Sequence, residues 1–319
     1  MPRVCRSPDT KVPGVRTTVL VPDESGVAQV AKVPGVRVLR YDGTTTPPAE
    51  LTDEMRSAEV LVAPILGTAR PDLVAALPRL RLVQLLTAGY EAWEGVLPGG
   101  VALCTARGAH GGSTAEWVLA TLLALRRDLP RFGHAQDRGE WDSHPTGTLL
   151  GARVLVIGAG DVAAQIVRRL EPFDASATVV GRSARDGVHS ADELPDLLGA
   201  HEAVVLAVPL TERTRRLADA AFLARMPDGA VLVNAARGPV VDTDALLSEL
   251  RAGRLQAALD VTDPEPLPAD HPLWQAPGVL ITPHVGGSVT GFLDRAYAIA
   301  AEQIAQFAAG RDPANLVAA

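Results

Sequence analysis

Three side chains that could carry out acid–base chemistry on a carboxylic acid follow three strand-like runs of the sequence. Arg237 comes shortly after AVLVN, Glu265 after QAAL and His284 after VLIT. Ligands of open parallel sheets bind beyond the carboxyl ends of the strands, so we expect these side chains to meet at one edge. Arginine binds a carboxylate as a bidentate fork, histidine is the usual acid near neutral pH, and an adjacent glutamate favours the imidazolium. Reduction of a 2-keto acid needs these three groups.

Each of the three residues also has a structural interpretation. Arg237 could pair with Asp242 or Asp244 in the following helix, Glu265 could be solvated in its proline-rich turn, and His284 could cap the last strand. Their occurrence together in one half of the chain, beside a phosphate-binding pattern, favours the functional interpretation.

The phosphate-binding pattern is a glycine-rich loop between the strand-like run RVLVI and a helical pattern. It reads GAGDVA, a G-x-G-x-x-A sequence. Gly158 permits a tight turn, Gly160 lets the backbone approach a pyrophosphate, and Ala163 allows the helix to pack closely on the strand. Asp161 is a departure, because a carboxylate beside a pyrophosphate is repulsive unless it points away. The loop residues expected to contact the cofactor are Gly158, Ala159, Gly160, Asp161 and Val162.

The end of the next strand indicates which nicotinamide cofactor is preferred. Domains that bind NAD usually carry an acid there for the ribose 2′-hydroxyl, whereas this stretch reads VGRSAR. Gly181 leaves space, Arg182 and Ser183 suit a 2′-phosphate, and Arg185 is a further candidate. A charge-assisted hydrogen bond contributes about 1.5–3 kcal/mol, so one or two favour NADP by about tenfold or more. We expect NADP as the preferred cofactor and NAD as the second; the alternative is that the arginines are solvated loop charges.

The elements that position these residues alternate between strands and helices. Strand-like runs lie at 17–21, 36–41, 59–63, 80–86, 153–157, 177–180, 203–207, 230–234, 256–259 and 279–282. This alternation predicts an α/β protein with two doubly wound parallel-sheet, Rossmann-like domains and a cofactor and substrate cleft between them. We place a dinucleotide-binding domain at 101–286 and a discontinuous substrate-binding domain at 1–100 plus 287–319.

One predicted helix, at about 114–128, is almost wholly apolar on its inner turns. Its start, Ser113 to Glu116, has the pattern of a capping box. A helix this apolar must be buried, between two domains or two subunits. The polar, glycine-rich segment at 131–151 that follows it is expected to be a connection or an arm.

Composition excludes several classes of protein. A chain of 319 residues with 47% hydrophobic and 21% charged residues is typical of a soluble globular protein with two domains. The net charge of −7 argues against nucleic-acid binding, and no apolar run is long enough to cross a membrane. Neither cysteine has metal-ligand spacing, so no metal is predicted, and the other histidines are expected at the surface. The first residues do not form a secretory signal, so we expect a cytoplasmic protein.

Motifs along 85–287 resemble the D-isomer-specific 2-hydroxyacid dehydrogenase family. They include AEWVLATLLALRR, VPLTERT, MPDGAVLVNAARGPVVD, ALDVTDPEPLP and TPHVGG. The resemblance implies that the family's catalytic Arg, Glu and His fall on Arg237, Glu265 and His284. It implies that Asp260 contacts the nicotinamide amide and that backbone amides at Leu66 and Gly67 bind the substrate carboxylate. Further expected cofactor contacts are Val208, Pro209, Thr214, Ala235, Ala236, His284 and Gly286; further expected substrate contacts are Gly89, Arg237 and His284. The resemblance also implies a homodimer through the helix and arm at about 100–150.

Within that family, the arginine after the second cofactor-domain strand and the DVxxxEPLP…HPLW stretch resemble the NADP-preferring glyoxylate/hydroxypyruvate reductase group. Reduction of a small 2-keto acid is therefore the expected reaction. Glu265 argues against formate oxidation, because relatives that oxidise formate carry Gln beside the histidine. Two alternatives stay open: a dehydrogenase acting on phosphite or a phosphorylated hydroxy acid, and a non-catalytic nicotinamide-sensing protein.

Overall fold

The structure of the chain is a computed structural model that describes residues 17–43, 47–65 and 69–317. It divides into two compact units. Unit 1 comprises Met1–His110 and Thr290–Ala319, and unit 2 comprises Gly111–Val289. Each unit is built on its own parallel sheet, so the predicted α/β class with two parallel-sheet domains is confirmed.

Unit 1 contains a five-stranded parallel sheet in the order β2-β1-β3-β4-β5. The strands are β1 (Thr17–Val21), β2 (Val36–Arg40), β3 (Val60–Val62), β4 (Leu82–Gln84) and β5 (Ala102–Cys104). The helices of this unit are α1 (Glu24–Val30), α2 (Asp53–Arg56), α3 (Pro71–Ala75) and the C-terminal α10 (Phe292–Ala308).

A buried tyrosine joins the last helix of unit 1 to the first. Tyr297 of α10 is fully buried, and its hydroxyl donates to Asp23 Oδ2 at 2.7 Å. Asp23 caps α1 by accepting from Gly26 N at 2.9 Å. The ring lies so close to α1 that a Cβ on Gly26 would be 2.8 Å from it, so only glycine fits there.

The first boundary between the units lies about ten residues later than the sequence placed it. The reason is β5, which pairs with β4 and so makes the segment up to His110 part of unit 1. The second boundary lies at 289/290, close to the expected 286/287. β5 is only three residues long and was not among the strands predicted from the sequence.

Unit 2 contains a seven-stranded parallel sheet in the order β12-β11-β10-β9-β6-β7-β8. Its strands are β6 (Arg153–Ile157), β7 (Ser176–Gly181), β8 (His189–Ser190), β9 (Ala203–Leu206), β10 (Val231–Asn234), β11 (Gln256–Leu259) and β12 (Val279–Ile281). Its helices are α4 (Gly111–Arg126), α5 (Leu129–Asp137), α6 (Asp161–Leu170), α7 (Leu194–Leu197), α8 (Ala220–Arg225) and α9 (Thr243–Arg251). The strand order reverses between β6 and β9, which is the point where sheets of this type bind ligands.

Helix α4 packs its buried side within its own unit. Its apolar side chains, such as Val118 and Leu122, pack with strands β6 and β10 and with α6 in one core cluster. The predicted capping box at Ser113 is wrong, because the helix already begins at Gly111. A Cβ on Gly111 would lie 2.7 Å from the carboxyl carbon of Asp161, so this carboxylate sits at the N-terminus of α4. A negative charge at that position stabilises the start of a helix.

Two further expectations for unit 2 are corrected. The segment at 131–151 is not wholly a connection, because α5 occupies Leu129–Asp137; its polar, glycine-containing sequence concealed the helix. His201 is not a surface residue: it is 5% exposed, with Nδ1 2.7 Å from the Leu197 carbonyl and Nε2 2.9 Å from Thr178 Oγ1.

Candidate functional site

The predicted cofactor residues of unit 2 lie at the carboxyl edge of its sheet. The glycine-rich loop joins β6 to α6 at the switch point of the strand order. Gly158 has a φ of +127°, and a Cβ there would overlap the carbonyl of Ala207 in the segment after β9. Only glycine satisfies both conditions, so the tight approach of the two loops depends on this residue.

The start of α6 can accept an anion. Its N-cap is Gly160, an exposed residue with open space around the position of its absent Cβ and no side chain capping the helix. The first backbone N–H groups of a helix have no partner within it, and they carry a partial positive charge. Asp161 directs its carboxylate to the start of α4, as described above. The loop therefore fits a pyrophosphate in spite of its aspartate.

The loop after β7 carries the residues predicted to select between NADP and NAD. Gly181 is the last residue of that strand, and Arg182 and Ser183 are exposed. Arg185 folds back over the glycine-rich loop, where its Nη2 donates to the Ala159 carbonyl at 3.0 Å. The structure thus brings a guanidinium group to the edge of the predicted phosphate site.

The loop after β9 carries three further predicted cofactor residues. Thr214 Oγ1 donates to the carbonyl of Pro209 at 2.7 Å and accepts from Thr211 N at 2.8 Å. These bonds fold the loop back beyond Val208. The threonine thus has a structural role in this loop, and its predicted cofactor contact stays a prediction.

His284 and Glu265 are in direct contact. Nδ1 of His284 lies 2.7 Å from Oε1 of Glu265, and the two side chains are 50% and 40% exposed. They follow the neighbouring parallel strands β12 and β11, which explains how residues far apart in sequence meet. Because Nδ1 is held by the carboxylate, Nε2 is the nitrogen that can face a substrate.

A buried aspartate holds the turn on which His284 lies. Asp260 is 5% exposed; its Oδ1 accepts from Thr282 Oγ1 at 2.7 Å and Val285 N at 2.8 Å. Its Oδ2 accepts from Gly286 N at 2.8 Å, and its carbonyl accepts from His284 N at 2.7 Å. Charge-assisted bonds of this kind are strong, so the turn is well fixed. The family resemblance implied only a contact between Asp260 and the nicotinamide amide, and that contact stays a prediction.

Arg237 lies in the turn after β10, the next strand of the sheet. Its Nη1 donates to the carbonyl of Ala236 at 2.7 Å. The following residue, Gly238, packs so tightly on the backbone of Thr262 that a Cβ would overlap the Thr262 carbonyl. The turn that bears Arg237 therefore lies against the segment that leads to Glu265.

Asn234, which the sequence analysis did not single out, closes the same turn. It is the last residue of β10 and is 1% exposed. Its Oδ1 accepts from Ala236 N at 3.1 Å, and its Nδ2 donates to the Arg237 carbonyl at 3.0 Å. A sequence signal was present, because asparagine is a rare residue in an otherwise apolar, fully buried strand.

Three of the predicted substrate residues, Leu66, Gly67 and Gly89, fall within unit 1. Leu66 and Gly67 lie outside the described residues. Gly89 follows β4 in unit 1, where its carbonyl accepts from Thr87 Oγ1 at 2.8 Å.

No group of His, Cys, Asp and Glu in residues 17–43, 47–65 and 69–317 could hold a metal ion. Within the same ranges, no helix has both the length and the apolar character needed to cross a membrane.

Most of unit 2 matches the model of a known protein family. Residues 119–286, more than half of the chain, match the NAD binding domain of D-isomer specific 2-hydroxyacid dehydrogenases. The chain belongs to the D-isomer specific 2-hydroxyacid dehydrogenase family. It is therefore an NAD(P)-dependent oxidoreductase of the 2-hydroxyacid dehydrogenase type.

Relatives and solved structures agree with this membership. A glyoxylate reductase of Aeropyrum pernix is 30% identical over 295 residues, which cover 87% of this chain and 88% of the relative. A D-3-phosphoglycerate dehydrogenase of Methanocaldococcus jannaschii is 31% identical over 281 residues; they cover 84% of this chain but only 53% of that longer protein. Among solved structures, a family member from Xanthobacter autotrophicus Py2 in complex with NADPH and MES has a TM-score of 0.81 and 31% identity. The match covers 95% of this chain and 98% of that one.

Proposed function

We propose that this dehydrogenase reduces a small 2-keto acid of the glyoxylate or hydroxypyruvate type, with NADPH as the preferred cofactor. The observation that carries the proposal is the His284–Glu265 pair, 2.7 Å apart at the same sheet edge as the glycine-rich loop. The similarity to a glyoxylate reductase over most of both chains supports this substrate class.

The residues of unit 2 divide the work of the reaction between them. NADPH, when bound, supplies the hydride. Gly158, Gly160 and the first amides of α6 hold its pyrophosphate. Arg237 binds the carboxylate of the keto acid and offsets the negative charge that develops on the carbonyl oxygen.

The proton comes from His284. Glu265 holds Nδ1 and stabilises the positive charge of the imidazolium, so the proton on Nε2 is directed to the substrate oxygen. Asp260 keeps the backbone of this turn in place while the proton moves. In the direction of oxidation the same nitrogen accepts the proton.

The preference for NADPH is assigned to Arg185 and Arg182. Arg185 already lies over the glycine-rich loop through its bond to Ala159, and Arg182 is exposed beside it. A 2′-phosphate would gain one or two charge-assisted hydrogen bonds of about 1.5–3 kcal/mol each, which corresponds to about tenfold or more in affinity. The aspartate that usually binds the 2′-hydroxyl of NAD has no counterpart in the stretch from Gly181 to Arg185.

We further propose a homodimer through the segment at about 100–150. Three large apolar side chains in this segment are exposed: Trp141 by 97%, Leu150 by 67% and Leu129 by 54%. A second copy of the chain would remove them from water. Sedimentation equilibrium tests this: a dimer that Trp141→Arg dissociates supports the proposal, and a wild-type monomer at all concentrations contradicts it.

The catalytic proposal is tested by the loss of reduced-nicotinamide absorbance with glyoxylate, hydroxypyruvate, pyruvate and a bulkier 2-keto acid. NADPH and NADH are run in parallel, and NADPH binding is measured separately by fluorescence. Turnover of a small keto acid that is faster with NADPH supports the proposal. NADPH binding without turnover of any keto acid would favour a nicotinamide-sensing protein or another substrate.

A further inference from the structure

Asn234 is a buried polar residue at the end of β10, where an apolar side chain would be expected. The other three residues of β10 are apolar and buried, as is usual for an inner strand of a parallel sheet. Asn234 is 1% exposed, so its amide has been removed from water and must find partners inside the protein. Both of its partners belong to the turn that bears Arg237.

The two bonds of Asn234 fix that turn at two successive residues. The amide oxygen accepts from Ala236 N at 3.1 Å, and the amide nitrogen donates to the Arg237 carbonyl at 3.0 Å. Arg237 itself has an extended backbone, with φ of −144° and ψ of 149°. Its carbonyl also accepts from Val240 N at 3.1 Å, so the Asn234 amide binds at the point where the extended residue enters the next turn.

The far side of the turn is also fixed. Gly238 packs on the Thr262 backbone, and Thr262 Oγ1 donates to the Pro264 carbonyl at 2.8 Å, next to Glu265. The backbone of Arg237 is therefore held by Asn234 on one side and by the Glu265 segment on the other. Loss of the Asn234 bonds would leave the turn held only by the Val240 bond and the packing of Gly238.

We propose that Asn234 is a positioning residue that fixes the direction of Arg237 toward the carboxylate of the substrate. This inference rests on the proposed function, in which Arg237 binds that carboxylate. Asparagine suits the position because its amide offers one donor and one acceptor at the same reach. An aspartate of the same shape would only accept, and it would turn an oxygen toward the Arg237 carbonyl.

The test is a double-mutant cycle with Asn234→Asp, Asn234→Ala, Arg237→Ala and the combined variants. We expect each Asn234 variant to lower kcat/KM for the keto acid by about 10–100-fold, since small misplacements in a catalytic site have effects of this order. In the Arg237→Ala background the same changes should have almost no further effect, because residues that act as a unit are not additive. NADPH affinity should change much less than kcat/KM in every variant, because the glycine-rich loop that binds the pyrophosphate follows a different strand.

Asp219→Ala is the matched control. Asp219 caps α8 by accepting from Phe222 N at 2.9 Å, so its loss costs about 1 kcal/mol of stability without touching a catalytic turn. It should lower the melting temperature and leave kcat/KM unchanged. A merely structural role for Asn234 predicts the same loss of kcat/KM in both Arg237 backgrounds, and that result would overturn the proposal.

A second readout separates this inference from the proposed function. Binding of oxamate, a keto-acid analogue with a carboxylate, to the NADPH complex requires no turnover and can be followed by fluorescence. We expect Asn234→Asp to weaken oxamate binding as Arg237→Ala does, even if wild-type protein turns over none of the keto acids tested. Turnover in the wild type with unchanged oxamate binding and kcat/KM in Asn234→Asp would overturn the positioning role and leave the proposed function intact.

Discussion

Replacing Gly238 by alanine should disable the reaction while leaving the cofactor site intact. The added Cβ would lie 2.8 Å from Asp263 N and would overlap the nearer Thr262 carbonyl. Ordinary van der Waals contact needs about 3.5 Å, so the contact with Asp263 N alone requires a shift of about 0.7 Å. Relief of the overlap with Thr262 requires a movement of more than about 1 Å. Both neighbours are backbone atoms and cannot rotate away, so the turn that bears Arg237 must move.

The size of the effect follows from this displacement. A misplacement of about 1 Å in a catalytic group costs about 10²-fold in rate, so we expect kcat/KM to fall by that factor. The overpacking should also lower the free energy of unfolding by about 1–3 kcal/mol, less than the stability of an ordinary domain. NADPH affinity should change much less than kcat/KM, because the glycine-rich loop that binds the pyrophosphate lies after a different strand.

Steady-state kinetics, a fluorescence titration with NADPH and a thermal melt measure these quantities. Gly199→Ala is the control, since a Cβ there would lie 3.6 Å from the Arg225 carbonyl, an ordinary contact. It should have wild-type kinetics. A Gly238→Ala protein that is folded, binds NADPH and keeps wild-type kcat/KM would refute the assignment of Arg237 and the packing argument behind it.

Three further predictions concern other parts of the chain. Glu265→Gln removes the negative charge 2.7 Å from Nδ1 of His284, which disfavours the protonated imidazole that reduction needs. The loss of the reduction rate with rising pH should therefore begin at a lower pH than in wild type, and an unchanged pH–rate profile would be evidence against the pair. A side-chain hydrogen bond from Arg153 lowers the pKa of Glu202 from 4.5 to about 2. The full shift corresponds to about 3 kcal/mol, but the side chain is one-third exposed, so we expect Glu202→Gln to cost about 1 kcal/mol at pH 7. A depressed carboxyl pKa stabilises the fold above the unfolded value, so this cost should shrink as the pH falls from 4.5 toward 2, and a denaturation series that shows no such trend would contradict it. Burial raises the pKa of the Cys104 thiol to about 12, so in a Cys5→Ser variant a thiol reagent at pH 8 should react only after unfolding, and rapid labelling of the native protein would be the contrary result.

The positions of residues that follow from the order of the strands could be predicted from the sequence. Glu265 and His284 each follow a strand-like run, and the carboxyl ends of parallel strands share one edge. The structure brings the two side chains into hydrogen-bond contact for that reason. The glycine-rich loop was visible because its glycines have a local steric role, which Gly158 shows by its positive φ and its contact with Ala207.

Features that depend on the direction in which a side chain points could not be predicted from the sequence. Asp161 looked unfavourable beside a phosphate, but its carboxylate points to Gly111 in another helix. Asp260 was assigned to the cofactor alone, although its carboxylate holds the turn of His284 through three hydrogen bonds. The role of Asn234 also depends on tertiary contacts with its turn. Spacing and residue type carry no information about these directions.

Short elements were missed for a different reason. β5 has three residues and β8 has two, and both become strands only because a neighbouring strand pairs with them. In α5 the polar sequence and Gly133 hide a helix that begins after Asp128. Tertiary context overrides weak local preference in each case.

The most direct test of the account is the rate of keto-acid reduction by His284→Ala in the presence of saturating NADPH. A positioned general acid contributes about 10²–10⁴-fold, so we predict that kcat falls by this factor while NADPH binding is retained. Wild-type turnover by a His284→Ala protein that still binds NADPH would contradict the assignment of His284 and Glu265 as the proton-transferring pair.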